Sequence, residues 1–168
     1  MSIMDLIGKG IQAMIEEAMT PESFKIGEKF ENYVRQHLFI EKYYDLLERT
    51  HDYHTNQKDY VQSSVKPDFK FRDRWSKKEF YVEVKFRSGL LHGKIEWCKD
   101  YQLKRYREYH KHTPVFLLLG MGDTPTQPDR IYLLPLDAAK YTGLFPSYAK
   151  QYMLPAKKPL PSKLLWQK

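Results

Sequence analysis

The stretch from Pro67 to Arg87 constrains the fold of this chain more than any other. Phe80-Tyr81-Val82-Glu83-Val84-Lys85-Phe86 alternates apolar and polar residues, the period of a strand with one buried face. Phe80, Val82, Val84 and Phe86 share one face, and Tyr81, Glu83, Lys85 and Arg87 share the other. Asp68-Phe69-Lys70-Phe71-Arg72 alternates in the same way. The polar stretch Asp73 to Lys78 between them reads as a turn, despite Trp75. A tip between Trp75 and Ser76 sets Phe71 opposite Phe80 and Phe69 opposite Val82, both sound apolar cross-strand pairs. The same register sets Asp68 opposite Glu83. Two carboxylates about 5 Å apart on one face repel each other, and a cation between them is the simplest reason to tolerate the pair. Mg²⁺ is typically held by one or two carboxylates, with waters and substrate phosphates. Two acids with Lys85 beside them form a set able to hold a divalent metal and activate a water. The competing reading is plain: Glu-x-Lys on a strand is also the pattern of a solvated face.

Two helices add to this. Thr20 suits an N-cap, Pro21 the first helical position and Glu22 the first turn. Gly27, Glu31, Val34 and Leu38 then fall on one face, flanked by Phe24 and Phe30. Glu31 sits inside an apolar stripe, while Glu28 lies with Asn32 and Arg35 on the polar side. A carboxylate aimed at a core is costly unless paired or metal-bound. A boundary residue paired with a basic side chain is the alternative. The second helix is expected over roughly Lys94 to Lys111, with Ile95, Cys98, Gln102, Tyr106 and Tyr109 on one face. A core-facing Gln102 needs partners. It either bonds a backbone group or, beside an acid pair, orients a phosphate or a water.

In this order, Glu31 on a helix, Pro67-Asp68, Glu83-Val84-Lys85 and Gln102-Leu-Lys-Arg-Tyr106 resemble the PD-(D/E)XK nuclease superfamily. The Gln-x-x-x-Tyr spacing resembles its RecB-type subgroup. The match covers about residues 21–135. The resemblance implies a restriction-endonuclease-like α/β fold, a four-stranded mixed sheet flanked by helices in the order αβββαβ, here with an added N-terminal helix. It implies Asp68 and Glu83 as metal ligands, joined by the Val84 carbonyl, with Glu31 as a further direct or outer ligand. Lys85 would position the attacking water or help deprotonate it. Gln102 and Tyr106 would support the site or touch the DNA backbone. The implied cofactor is Mg²⁺ or Mn²⁺, and the implied products are a 5′-phosphate and a 3′-hydroxyl. No helicase or target-recognition domain is evident in the chain.

Length and composition fit one intracellular, cytoplasmic domain. At 168 residues, with 42% hydrophobic and 15% aromatic residues, the chain has the material for a sizeable core. The single cysteine, Cys98, excludes a disulfide framework within the chain and suits a reducing compartment. Ile3, Ile7, Ile11, Met14 and Ala18 recur at helical spacing and read as an amphipathic helix, not a signal peptide. Val115 to Leu119 is too short an apolar run to span a bilayer. A net charge of +7 fits a polyanionic partner, which the resemblance implies is DNA. The Gln102 helix carries Lys94, Lys99, Lys104, Arg105, Arg107 and Lys111 against Glu96, Asp100 and Glu108, so Lys99, Lys104 and Arg105 are candidate nucleic-acid contacts. Its aromatics Trp97, Tyr101, Tyr106 and Tyr109 suit either core packing or stacking on unpaired bases.

The remainder reads as scaffold. Phe39 to Leu47 is expected as the first strand, with continuation of a helix through Tyr43 to Leu47 as the alternative, His51 to Ser64 as a loop or a frayed strand, and Val115 to Leu119 as a buried fourth strand. Ile131 to Leu134 is expected as a further strand, and Asp137 as the cap of a short helix. His51-x-x-His54 and His110-x-His112 suggest zinc only weakly, with no cysteine pair to complete a site. Residues 1–154 form the expected domain, and 155–168 an extended Pro/Lys-rich tail whose apolar tip, Leu164-Leu165-Trp166, is expected to dock on this chain or on a partner. The expected function is a divalent-metal-dependent nuclease. Its rivals are a nuclease-fold module that binds DNA or a protein without cutting, and a structural subunit whose acids form surface pairs. A homodimer is compatible with either class.

Overall fold

The structure, a computed structural model, describes residues 2–19, 21–50 and 66–166, with the backbone alone for 12–19. Two helices open the chain, α1 (Ile3–Met19) and α2 (Glu22–His37). Three strands follow, β1 (Tyr44–Arg49), β2 (Phe69–Asp73) and β3 (Glu79–Arg87), then a short β4 (Ile95–Glu96). Helix α3 (Asp100–His110) leads to β5 (Val115–Met121) and β6 (Arg130–Pro135). A short β7 (Gly143–Leu144), α4 (Pro146–Ala149), a 3₁₀ turn (Lys150–Tyr152) and α5 (Ser162–Leu165) complete it.

The main sheet has five strands in the order β1-β2-β3-β5-β6. All neighbours are antiparallel except β3 and β5, which run parallel with α3 as their crossover. The sequence α2-β1-β2-β3-α3-β5 is thus the expected αβββαβ core, with β6 as the further strand. The hairpin register is as read from the alternation: Phe69 pairs with Val82 and Phe71 with Phe80.

Each face of the sheet has its own core. Phe30 and Val34 of α2 cover Phe69, Phe71, Phe80, Val82, Val84 and Phe86 on one side. Gly120 lets α2 come this close, because a Cβ there would meet the Phe30 ring at 2.3 Å. On the other side, Leu103 and Tyr106 of α3 pack with Trp97, Val115, Leu117 and Leu119. Strand β5 is buried along its whole length because it feeds both cores.

Three local expectations are corrected. Helix α3 begins at Asp100, not Lys94, because Gly93 turns the chain at φ 77° and Ile95–Glu96 pairs with Gly143–Leu144 in a second, two-stranded sheet. The first strand starts at Tyr44, because Leu38 and Phe39 close α2 through bonds to the Val34 carbonyl. Around Asp137 the chain makes a turn rather than a helix. The C-terminal tip docks on this chain, one of its two expected partners: Leu160 and Leu165 enter the first core, and Tyr44 donates its hydroxyl to the Leu160 carbonyl at 2.8 Å. The buried Asp73 carboxylate accepts from Ser162, Ser76 and Trp166 Nε1 and clasps this segment to the hairpin. The expected loop His51 to Ser64, with His51 and His54, lies outside the described residues.

On α1, Ile3, Met4, Leu6, Ile7 and Ile11 are exposed. No described helix is long and apolar enough to cross a membrane.

Candidate active site

A cleft of about 520 Å³ lies where the C-terminal half of β3, Glu83 to Arg87, meets the first half of α2. Alternation along β2 and β3 sends the phenylalanines to the α2 core, which leaves Asp68, Glu83 and Lys85 facing the opposite way. Asp68 stands one residue before β2 and is held by its own backbone and side chain. Its carbonyl accepts from Thr50 N–H at 3.0 Å, and its Oδ2 accepts from Val84 N–H at 2.8 Å. Thr50 Oγ1 also donates to the Pro67 carbonyl at 2.9 Å. Thr50 is thus a positioning residue that sequence reasoning missed. Nothing in its own neighbourhood signals this, because the contact depends on how β1 meets β2.

Glu83 is buried, and Lys85 Nζ lies 2.9 Å from its Oε1. Its other oxygen, Oε2, is the only buried side-chain nitrogen or oxygen among the described residues that lacks a hydrogen-bond partner. An orphaned carboxylate oxygen is costly in an interior. Beside a second carboxylate it suits a divalent cation. Among the described residues no three acid, histidine or cysteine side chains converge into a closed cation cage. A site built on two carboxylates, open to water and phosphate oxygens, is the arrangement typical for Mg²⁺.

The electrostatics match this crowding. Burial, then the charges of Glu83 and Glu31, push the Asp68 carboxyl well above its ordinary range. Glu31 lines the same cleft and rises to about 7, chiefly by burial, with Arg49 opposing. Arg49 Nε lies 4.0 Å from Glu31 and donates from Nη2 to Asn32. Burial disfavours the Lys85 charge, yet Glu83 and Asp68 outweigh it and hold the lysine above its usual range. In the metal-free protein the two acids thus favour the charged form of Lys85.

The remaining expected residues divide. Tyr106 is buried and stacks on Trp97 at 6.0 Å between centroids. Burial, then the charges of Glu83 and Asp68 and the approach of its hydroxyl to the Glu83 carboxylate, raise its phenol above the ordinary range; that approach falls short of hydrogen-bond geometry, which leaves Glu83 Oε2 without a partner. Gln102 lines the cleft, but its Oε1 accepts from Lys99 N–H at 2.9 Å and so caps the first turn of α3. Val84 lines the cleft. Lys99, Lys104 and Arg105 are exposed and are not among the residues lining it; Arg49, Lys66 and Arg87 are. Arg87 is occupied as a bracket, donating to the carbonyls of Glu96 and Trp97 at 2.6 and 3.2 Å. Burial pushes the Cys98 thiol up to about 12, so it is not a nucleophile at neutral pH. His110 accepts from Val115 N–H and lies 3.2 Å from Asp137, a bracket between α3 and β5 and not half of a zinc pair.

No family model matches this chain, and no curated protein matches it. Among solved structures the chain is similar to Hjc, a Holliday junction resolvase of the archaeal hyperthermophile Archaeoglobus fulgidus. The TM-score is 0.49 at 9% sequence identity, over 81% of this chain and 94% of that one.

Proposed function

We propose that this protein is a divalent-metal-dependent nuclease acting on DNA. The observation that carries the proposal is the unpartnered Oε2 of buried Glu83, set beside Asp68 at the floor of an open cleft with Lys85 on the other oxygen. Asp68 and Glu83 would hold Mg²⁺ or Mn²⁺, with the Val84 carbonyl as a further donor by family resemblance and Glu31 as an outer carboxylate, since no three acids converge on one point among the described residues. Bound there, the metal supplies Lewis-acid polarisation of a phosphate and a water of lowered pKa.

The chain's own residues do the rest. Val84 N–H fixes the Asp68 carboxylate, and Thr50 fixes the backbone that carries it. Lys85, 2.9 Å from Glu83 Oε1, stabilises the negative charge that builds on phosphate oxygens during hydrolysis. Tyr106 closes the inner wall behind Glu83 and keeps water from its buried side. Gln102 sets the start of α3, so the Gln-x-x-x-Tyr spacing acts through wall and helix placement. Lys66 and Arg49 at the rim attract the phosphate backbone, with Lys99, Lys104 and Arg105 contributing long-range attraction.

The test is direct. Purified protein is incubated with linear, circular, single-stranded and branched DNA in Mg²⁺, Mn²⁺ or EDTA. Cleavage is expected only with metal, leaving 5′-phosphate ends. Cleavage that persists in EDTA, or that survives Asp68→Asn unchanged, overturns the proposal. Binding without cleavage under every metal condition selects the non-cutting module instead.

A further inference from the structure

A second and larger cavity, about 900 Å³, lies behind the catalytic cleft. The two share a wall. Gln102 lines the cleft, whereas Asp100 and Leu103 of the same helical turn line the second cavity. Arg87 lines the cleft and bonds the backbone of Glu96, which lines the second cavity. The rim of this groove carries Tyr141, which is 72% exposed, and Phe145, which is 54% exposed. Scattered exposed aromatics are ordinary, but these two flank one cavity together with Lys94, Arg107 and Lys140. Lys94 Nζ stands 5.1 Å from the centre of the Phe145 ring.

The rings are mounted on rigid backbone. Trp97 is fully buried. Its Nε1 donates to the Tyr141 carbonyl at 2.8 Å, and its N–H donates to the Thr142 carbonyl at 2.9 Å. Arg107 Nη2 donates to the Lys140 carbonyl at 2.6 Å. Gly143 sits against the Glu96 carboxylate so closely that a Cβ would meet Oε1 at 2.6 Å. Behind Trp97 lies Tyr106, the wall of the catalytic site. The platform and the catalytic carboxylates therefore hang on one packed unit.

We infer that this groove takes unpaired bases of a single-stranded stretch of nucleic acid, stacked on Tyr141 and Phe145, while the connected backbone enters the catalytic cleft. The identity of the occupant rests on the nuclease reading. Flat apolar rings bordered by cations match the two parts of a nucleotide, a π-face and a phosphate. A duplex hides its base faces and gains nothing from such rings, so the groove deepens the proposed function toward substrates with a single-stranded flank.

The test is binding in EDTA, which leaves cleavage out of the measurement. A fluorescent single-stranded oligonucleotide and a blunt duplex of the same sequence are titrated against wild type, Tyr141→Ala with Phe145→Ala, and Tyr141→Phe with Phe145→Tyr. The alanine pair is expected to lose roughly tenfold or more per ring in single-strand affinity, with duplex affinity unchanged within about twofold. The aromatic pair is expected to keep both affinities. An adenine analogue whose fluorescence is quenched on stacking should brighten in the alanine pair. Unchanged single-strand affinity, an equal loss on both ligands, or a wild type that binds no single strand overturns the inference. The nuclease reading fails separately, by absence of metal-dependent cleavage in wild type, and the groove stands if selective single-strand loss is still seen.

Discussion

The two faces of β3 obey opposite rules. On one side Phe80, Val82, Val84 and Phe86 are buried among aromatic rings, with Phe80 in contact with Phe39, Tyr44, Phe71, Phe116 and Trp166. On the other, Glu83 and Asp68 are set near each other with one carboxylate oxygen unpartnered. The dry face fixes the strand so firmly that the polar face can be held in an arrangement that disfavours folding. Strain at a functional site is carried by stability stored elsewhere.

This contrast can be broken in graded steps. The largest effect should be on chemistry. Asp68→Ala, Glu83→Ala and Lys85→Ala should each lower metal-dependent DNA cleavage by about a hundredfold or more, measured as initial rates on a labelled substrate. Next comes the dry face. Phe80→Ala should cost about 3–5 kcal/mol of stability in denaturant titrations, whereas Asp68→Asn should hold or raise the melting temperature in EDTA. Asparagine keeps an acceptor for Val84 N–H and removes the repulsion. An Asp68→Asn variant that melts clearly below wild type without metal would mark the acids as structural ion-pair partners.

A third step is the pH dependence of the metal-free protein. Asp68 and Glu31 both have folded-state pKa values raised above their unfolded values. Between the ordinary carboxylate range and about 7, the folded chain therefore binds more protons than the unfolded chain. Stability should fall as pH rises through that window. Melting curves in EDTA from pH 5 to 8 should show the decline, and Glu31→Gln with Asp68→Asn should flatten it. A smaller effect is metal binding itself. At a metal concentration near ten times Kd, wild type should gain about 1.4 kcal/mol, a few degrees in Tm, and Asp68→Asn much less. The smallest should come from the outer surface. Lys104→Glu with Arg105→Glu should weaken DNA binding modestly and reduce its salt dependence, read from the slope of log Kd against log salt.

Much of the site was legible before any coordinates. The hairpin register followed from period-two alternation broken by one polar turn, because a slip of one residue would expose every phenylalanine of both strands. Continued by one residue, that register predicts Asp68 opposite Glu83; in the structure the pairing runs to Phe69 and Val82, and Asp68, just before the strand, accepts from Val84 N–H. The burial of β5 on both sides was likewise written in its apolar run. Helix α3 was misjudged at its start because Ile95 and Cys98 keep helical spacing with Gln102. That spacing is coincidental: Ile95–Glu96 answers to Gly143–Leu144, and no local pattern announces so distant a partner.

The sequence by itself thus determined which residues share a face, since backbone geometry fixes that over a few residues. Only the tertiary structure decided what each face meets. It brought Thr50 under Asp68, turned Gln102 into a helix cap, closed Asp73 on Ser162 and Trp166, and anchored the Tyr141 backbone to Trp97. These contacts join segments far apart in the chain, and their favourable energy exists only once the two cores have formed and the entropy of closing the intervening loops has been met.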